Sequence, residues 1–279
     1  MRIFAIRDES AEEKKDLAWL LYYEAEKRFY IELPEDANEW ETPLLLSSFV
    51  KKGEKTVDSH WSKVWVQQRI VPPDRQNIGQ VLKDNGLKEY DEFELLLLAM
   101  GRCAQDDCYL TPLEEEELPP QIQARFERRV EDVLSLGRNT LLVFFRDGEV
   151  RKCDLTGWLE AHTRFSILLK RGELFDKVRV ETGGHGVSWD ENMSIPDYVL
   201  YQSGEAVPLT MEDFYVITAR CIINTSEAAE ILNCSRQNIQ DLIRRGKLHP
   251  VKATSRSTLL LKSEVLKRMR TKIDSETAL

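Results

Sequence analysis

The stretch Asn224-Thr225-Ser226-Glu227-Ala228-Ala229-Glu230-Ile231-Leu232-Asn233-Cys234-Ser235-Arg236-Gln237-Asn238-Ile239-Gln240-Asp241-Leu242-Ile243-Arg244-Arg245-Gly246 decides how the C-terminal part of this chain folds. Asn224 stands three residues before Glu227, the spacing of a capping box, so a helix is expected to start there and run to about Leu232. Asn233-Cys234-Ser235 is a tight turn, and Ser235 is placed to cap a second helix through Arg245. Gly246 ends that helix, because glycine adopts the left-handed conformation a helix C-terminus favours. Two short helices joined by about three residues have the form of a helix-turn-helix.

Helical geometry sorts the second helix into faces. Ile239, Leu242 and Ile243 make its inner stripe, and the small Ala229 lets the first helix approach closely. Gln237, Gln240 and Arg244 point outward, and Arg236 lies in the first turn beside Ser235. These residue types suit base edges, since Arg pairs bidentately with guanine and Gln with adenine. Asp241 also faces out and would repel phosphate. Beyond Gly246, Leu248–Lys252 and Thr258–Leu261 read as a β-hairpin around the loop Ala253–Ser257, with Lys247, Lys252 and Arg256 clustered on it. A basic hairpin beside such a helix is a wing, which touches the flanking backbone or minor groove. Ser263 is expected to cap a closing helix, Glu264–Arg270.

On Thr225–Leu232, Ser235–Ile239 and Leu242–Leu248 this segment resembles the MerR-like and excisionase families of winged helix-turn-helix domains. The resemblance implies double-stranded DNA as partner, in transcription control or in directing recombination. Ser235, Arg236, Gln237, Gln240, Arg244, Lys247, Lys252 and Arg256 are the expected DNA contacts. A single short helix reaches few bases, so a homodimer on two half-sites is the expected arrangement. The alternative left open is a helix pair that only docks on protein.

Charge points the same way. The chain has 279 residues and a formal net charge of −9, yet residues 221–279 hold 11 Lys and Arg against 6 Asp and Glu, a net of +5. Residues 1–220 carry −14, so only the tail suits a phosphate backbone. The five cysteines (103, 108, 153, 221 and 234) are an odd, scattered set, which argues against a disulfide framework and for a reducing compartment. With no second close pair of Cys or His beside Cys103 and Cys108, no metal site is expected. No apolar run is long enough to span a bilayer and Met1–Lys15 lacks a signal-peptide core, so the expected location is cytoplasmic.

Upstream the signals thin out. Four glutamates and two prolines within Glu114–Pro120 read as a linker with a boundary near 118. A second boundary falls between Val207 and Ile222, with Pro208 as a breaker and Met211–Ala219 as a short mixed segment. The expected organisation is α+β and multidomain: 1–118, 119–212, and a winged helix-turn-helix over 213–279. Leu17–Tyr23 and Phe29–Leu33 are either a hairpin or one helix, since so apolar a run has no legible period. Ile78–Leu82 and Phe93–Met100 read as helices with Asn85-Gly86 in a turn between them, and Leu95–Met100 as buried. Trp19, Trp40, Trp61 and Trp65 are expected in a core or an interface. Thr140–Arg146 and Glu149–Leu155 form a hairpin around Asp147-Gly148, a type I′ turn pair. Val178–Glu181 and Val187–Trp189 pair around Thr182–Gly186. That glycine-rich run is read as a turn, because no Lys-Ser/Thr and no helix start follow it.

Through Leu141–Asp154, Leu174–Val178 and Gly186–Trp189, residues 122–212 resemble domain of unknown function 2442, a small α+β family often found in toxin–antitoxin settings or joined to DNA-binding domains. Through Leu44–Phe49, Val71–Arg75, Tyr90–Leu96 and Gly101-Arg102, the first region is similar to the N-terminal subdomain of HipA-type toxin kinases, with Cys103 where an acidic residue is usual. Together these imply a protein partner for residues 1–212 and an antitoxin-like autoregulator. No kinase core follows, and no nucleophile elbow, Walker motif or His-Glu-x-x-His is present. No catalytic residue and no cofactor are therefore expected. Asp74, Arg75, Asp106 and Asp107 are the residues a hydrolase or nuclease reading would rest on, with ion-paired loops as the alternative. The reading is a sequence-specific DNA-binding transcriptional regulator. Its rivals are an interaction module without DNA binding and an excisionase-like architectural factor.

Overall fold

A computed structural model of the chain describes residues 1–10, 15–190, 193–206, 211–254 and 257–277. The fold is α+β, arranged as two compact units, Met1–Ala124 and Arg125–Leu279. Among the described residues no helix is long and apolar enough to cross a membrane.

The first unit contains β1 (Arg2–Asp8), β2 (Asp16–Tyr23), β3 (Arg28–Glu32), α1 (Leu44–Lys51), β4 (Thr56–Val57), α2 (Ser59–Gln67), α3 (Ile78–Asp84), α4 (Glu92–Ala99) and β5 (Cys108–Leu113). Its antiparallel sheet has the order β4-β3-β2-β1-β5. The open choice at residues 17–33 resolves to a hairpin, with Trp19 opposite Glu32 and Tyr23 opposite Arg28. Alternate residues Phe4, Ile6, Leu20, Tyr22, Phe29 and Ile31 pack with Phe49, Trp65, Phe93 and Leu96 of the helices. Trp19, Leu21 and Tyr30, on the opposite face, are buried as well. A strand buried on both faces loses the alternation that would reveal it in sequence.

Trp19 and Trp65 are core residues, while Trp40 is 85% exposed and Trp61 44%. Two readings of this unit need correction. In α4, Leu95 and Leu96 are buried while Leu98 is 52% exposed, so the apolar run is only partly interior. Asp106 is occupied structurally. It pairs with the buried Arg69, whose guanidinium lies 3.6 Å from the Trp65 ring centroid. The acidic stretch read as a linker is an ordered 3-10 turn, Glu115–Glu117, with the Glu117 carboxylate accepting from the Glu114 backbone at 2.8 Å. Pro120 opens α5 (Pro120–Glu127), where a proline's missing N–H costs nothing.

The second unit continues with β6 (Val130–Gly137), β7 (Thr140–Phe145), β8 (Val150–Asp154), α6 (Thr156–Ala161), α7 (Ser166–Lys170), α8 (Gly172–Phe175), β9 (Arg179–Val180), β10 (Gly186–Asp190), β11 (Met193–Pro196), α9 (Asp197–Ser203), β12 (Glu205–Ala206) and α10 (Met211–Cys221). One sheet has the order β12-β8-β7-β6 and another β11-β10-β9. Leu141, Val143 and Phe145 on one face of β7 join a core with Phe165, Phe175, Trp189 and Leu200. The expected hairpin β7–β8 is present, but its turn is not type I′. Gly148 N donates to the Phe145 carbonyl at 3.0 Å, and of Asp147 and Gly148 only Gly148 has positive φ (+87°), the pattern of a type I turn followed by a glycine bulge. The turn with two positive φ angles lies one hairpin earlier, at Arg138 (49°) and Asn139 (60°) between β6 and β7.

The segment 211–219, expected to be mixed, lies in the 11-residue helix α10. Ile217 and Cys221 of α10 pack against Leu134 and Leu142 on the other face of the β6–β7 pair. Pro208 lies outside the described residues. Burial, with Asp132 carboxylate oxygen 3.9 Å away, pushes the Cys221 thiol up to about 11, so it stays protonated at neutral pH.

Candidate nucleic-acid interface

The C-terminal part of the second unit is built from β13 (Ile222–Asn224), α11 (Thr225–Ile231), α12 (Arg236–Arg244), β14 (Pro250–Ala253), β15 (Thr258–Leu261) and α13 (Lys262–Thr277). Its first helix starts as a complete capping box. Asn224 Oδ1 accepts from the Ser226 and Glu227 amides at 2.8 and 3.1 Å, and Glu227 Oε2 accepts from Asn224 N at 2.8 Å. Both helices then end in the same way. After α11, Asn233 takes a left-handed φ of 47°, its amide donates to Glu230 O, and Cys234 N donates to Ala229 O. After α12, Gly246 takes φ +62°, its amide donates to Ile243 O, and Lys247 N donates to Leu242 O. These are paired Schellman closures, and the first of them makes the turn between the two helices. Ser235 Oγ accepts from Asn238 N at 3.2 Å and starts α12.

Packing fixes the roll of α12. Ile239 is fully buried, and Leu242 and Ile243 lie half-buried against Ala228, Ala229, Leu232, Leu248, Leu260 and Val265. With that stripe inside, Arg236, Gln237, Asn238, Gln240 and Arg244 are exposed. The strand order β13-β15-β14 sets β15 in the middle and leaves β14 at the edge, all four of its residues exposed. Glu264 of α13 ties the start of the hairpin down, with His249 Nδ1 2.7 Å and His249 N 3.1 Å from its carboxylate. The closing helix begins two residues before the expected Glu264 and runs beyond Arg270 to Thr277.

Of the expected contact residues, Arg236, Gln237, Gln240 and Arg244 share α12, and Lys247 is exposed in the turn after Gly246. Lys252 is exposed on β14, and Arg256 lies outside the described residues. Ser235 is exposed with its hydroxyl engaged in the cap. Among the described residues Arg236, Lys247 and Lys252 have no ion-pair partner, whereas Arg244 Nη2 lies 3.0 Å from Asp241 Oδ1. Sequence reasoning passed over Asn238 and Arg245, both exposed on or beside α12. A wheel drawn from Ile239 would have placed them at the flanks of the outward face.

A family model described as a helix-turn-helix domain matches residues 222–272. No curated protein matches the chain. Among solved structures the chain is similar to a Nitrosomonas europaea protein with a provisional DNA-binding description. That likeness has 22% identity over 44% of this chain and 79% of the other, with a TM-score of 0.25, too slight to carry an argument. The comparisons lend no support to the likeness of the upstream regions to domain of unknown function 2442 or to HipA-type toxin kinases, nor to an antitoxin setting. What the family match and the capped, closely packed helix pair establish together is that residues 222–272 form a helix-turn-helix domain.

Proposed function

We propose that this protein is a sequence-specific DNA-binding transcriptional regulator. Helix α12 enters the major groove, and the β14–β15 hairpin serves as a wing on the neighbouring backbone. One observation carries the reading. The core-packed helix α12 presents Arg236, Gln237, Gln240 and Arg244 to solvent together, two residue types that read guanine and adenine edges. The net charge of +5 over residues 221–279 supplies the attraction to phosphate, and the −14 of residues 1–220 keeps that attraction local. Nine residues of recognition helix reach few bases, so the working form is a dimer on two half-sites. The reading is of a binding protein rather than an enzyme; Asp106, one of the few carboxylates with a claim to chemistry, is held by Arg69.

Selection from a random pool of duplex DNA with the full chain tests this. The expected result is enrichment of a short sequence, repeated as half-sites about one helical turn or a multiple of it apart. A pool left unenriched after several rounds would overturn the proposal.

A further inference from the structure

We infer that Asp241 is a specificity-determining residue of α12, which positions the Arg244 guanidinium for a base edge and weakens binding to DNA that offers none. The inference rests on the DNA-binding reading and deepens it. Asp241 is the only acid in Arg236–Arg244, and its spacing puts it on the outward stripe, four residues after Gln237 and three before Arg244. Its Oδ1 lies 3.0 Å from Arg244 Nη2, with the Asp241 and Arg244 side chains 36% and 78% exposed.

Stability does not account for a carboxylate at this place. An ion pair so exposed contributes little to folding. Asp241 also lies in the last turn of α12, where the helix dipole disfavours negative charge. Toward DNA its charge is unfavourable wherever it meets phosphate, on any sequence. The pair has a different effect on Arg244. A free arginine side chain samples many rotamers, and one held at a single Nη keeps its remaining donors aimed along one direction. Guanine O6 and N7 accept from such a pre-aimed fork, whereas random sequence leaves Asp241 facing the backbone without a base contact in return. Asp241 therefore lowers affinity for random DNA and sharpens the difference between right and wrong sites.

The test measures affinity of the full chain for the selected duplex and for a scrambled duplex, at two salt concentrations. It compares the unaltered protein with Asp241→Asn, Arg244→Ala and the double variant. Asp241→Asn is expected to tighten binding to the scrambled duplex about twofold to threefold and to cut the selected-to-scrambled ratio about tenfold. In the Arg244→Ala background the same change should leave the ratio nearly unaltered, because nothing remains to be positioned. Equal tightening on both duplexes would overturn the inference, leaving Asp241 as a net charge only. So would an equal loss of ratio with and without Arg244. Failure of the unaltered protein to prefer the selected duplex would instead overturn the DNA-reading proposal, and this inference with it. Melting of each variant within a degree or two of the parent separates these outcomes from a folding defect.

Discussion

The carboxylate of Glu264 accepts from the backbone amide of His249 at 3.1 Å and holds His249 Nδ1 at 2.7 Å, joining the first turn of α13 to the residue just before β14. Removing the acceptor leaves an amide and a ring nitrogen without their shared partner. Glu264→Ala is expected to destabilise the domain by about 1 kcal/mol, the ordinary net value of such a bond. Hydrogen exchange should rise first along β14. Unchanged protection of the β14 amides would show that the hairpin holds its place without this tie.

Gly246 supplies the left-handed residue that closes α12, and a Cβ added there would meet no atom within 4 Å. Any effect of substitution is therefore conformational, not steric. Gly246→Ala should cost about 1 kcal/mol in urea unfolding, and Gly246→Asn less, since asparagine tolerates this region. The natural Asn233 at the equivalent place after α11 is the internal reference. Equal losses for Ala and Asn would contradict the argument.

Burial, with Arg129 and Arg146 nearby, holds His185 well below its ordinary value of 6.5. The unfolded chain therefore binds this proton more readily than the folded one. The stabilising contribution is complete above the unfolded value and is lost as pH falls from 6.5 toward the folded value. Exchange of the β10 amides should speed up on going from about pH 7.5 to about pH 5.5, after correction for the intrinsic rate. His185→Gln should flatten that dependence. An identical pH profile in the two proteins would exclude His185 as its source.

Arg236 and Lys252 separate base reading from backbone contact. Arg236→Ala should lose about 1–3 kcal/mol on the selected site and little on scrambled DNA. Lys252→Ala should weaken both alike and lower the salt slope by about one. Equal loss on both duplexes for Arg236→Ala would assign it to phosphate instead.

Legibility from sequence followed the reach of the interactions concerned. The helix-turn-helix could be read because Asn224, Glu227, Ser235 and Gly246 act on neighbours within a few residues, and each made the bond its spacing implied. At the Asp147-Gly148 turn the residue pair was informative but not decisive. The pair allows either a type I′ turn or a glycine bulge, and Gly148 N donating to Phe145 O selects the bulge. The strands at 17–33 could not be told from a helix because burial on both faces erased their period. Helix α10 was hidden for another reason: what holds it is Leu134 and Leu142, some eighty residues earlier in the chain. On the interface, the outward stripe of α12 was legible from Ile239 alone, while the pairing of Asp241 with Arg244 needed side-chain geometry.

Cys221, the last residue of α10, packs beside Leu142 and is followed directly by Ile222, the first residue of β13. There is no slack chain at this junction. Helix α10 touches β13 and α13 on one side and β6 on the other, so the helix-turn-helix and the β6–β7 pair share one packed helix. The same seam sets where the molecule can be cut. A fragment starting at Ile222 would lose α10, which packs on β13 and α13, whereas one starting at β6 keeps that helix and the leucines it covers.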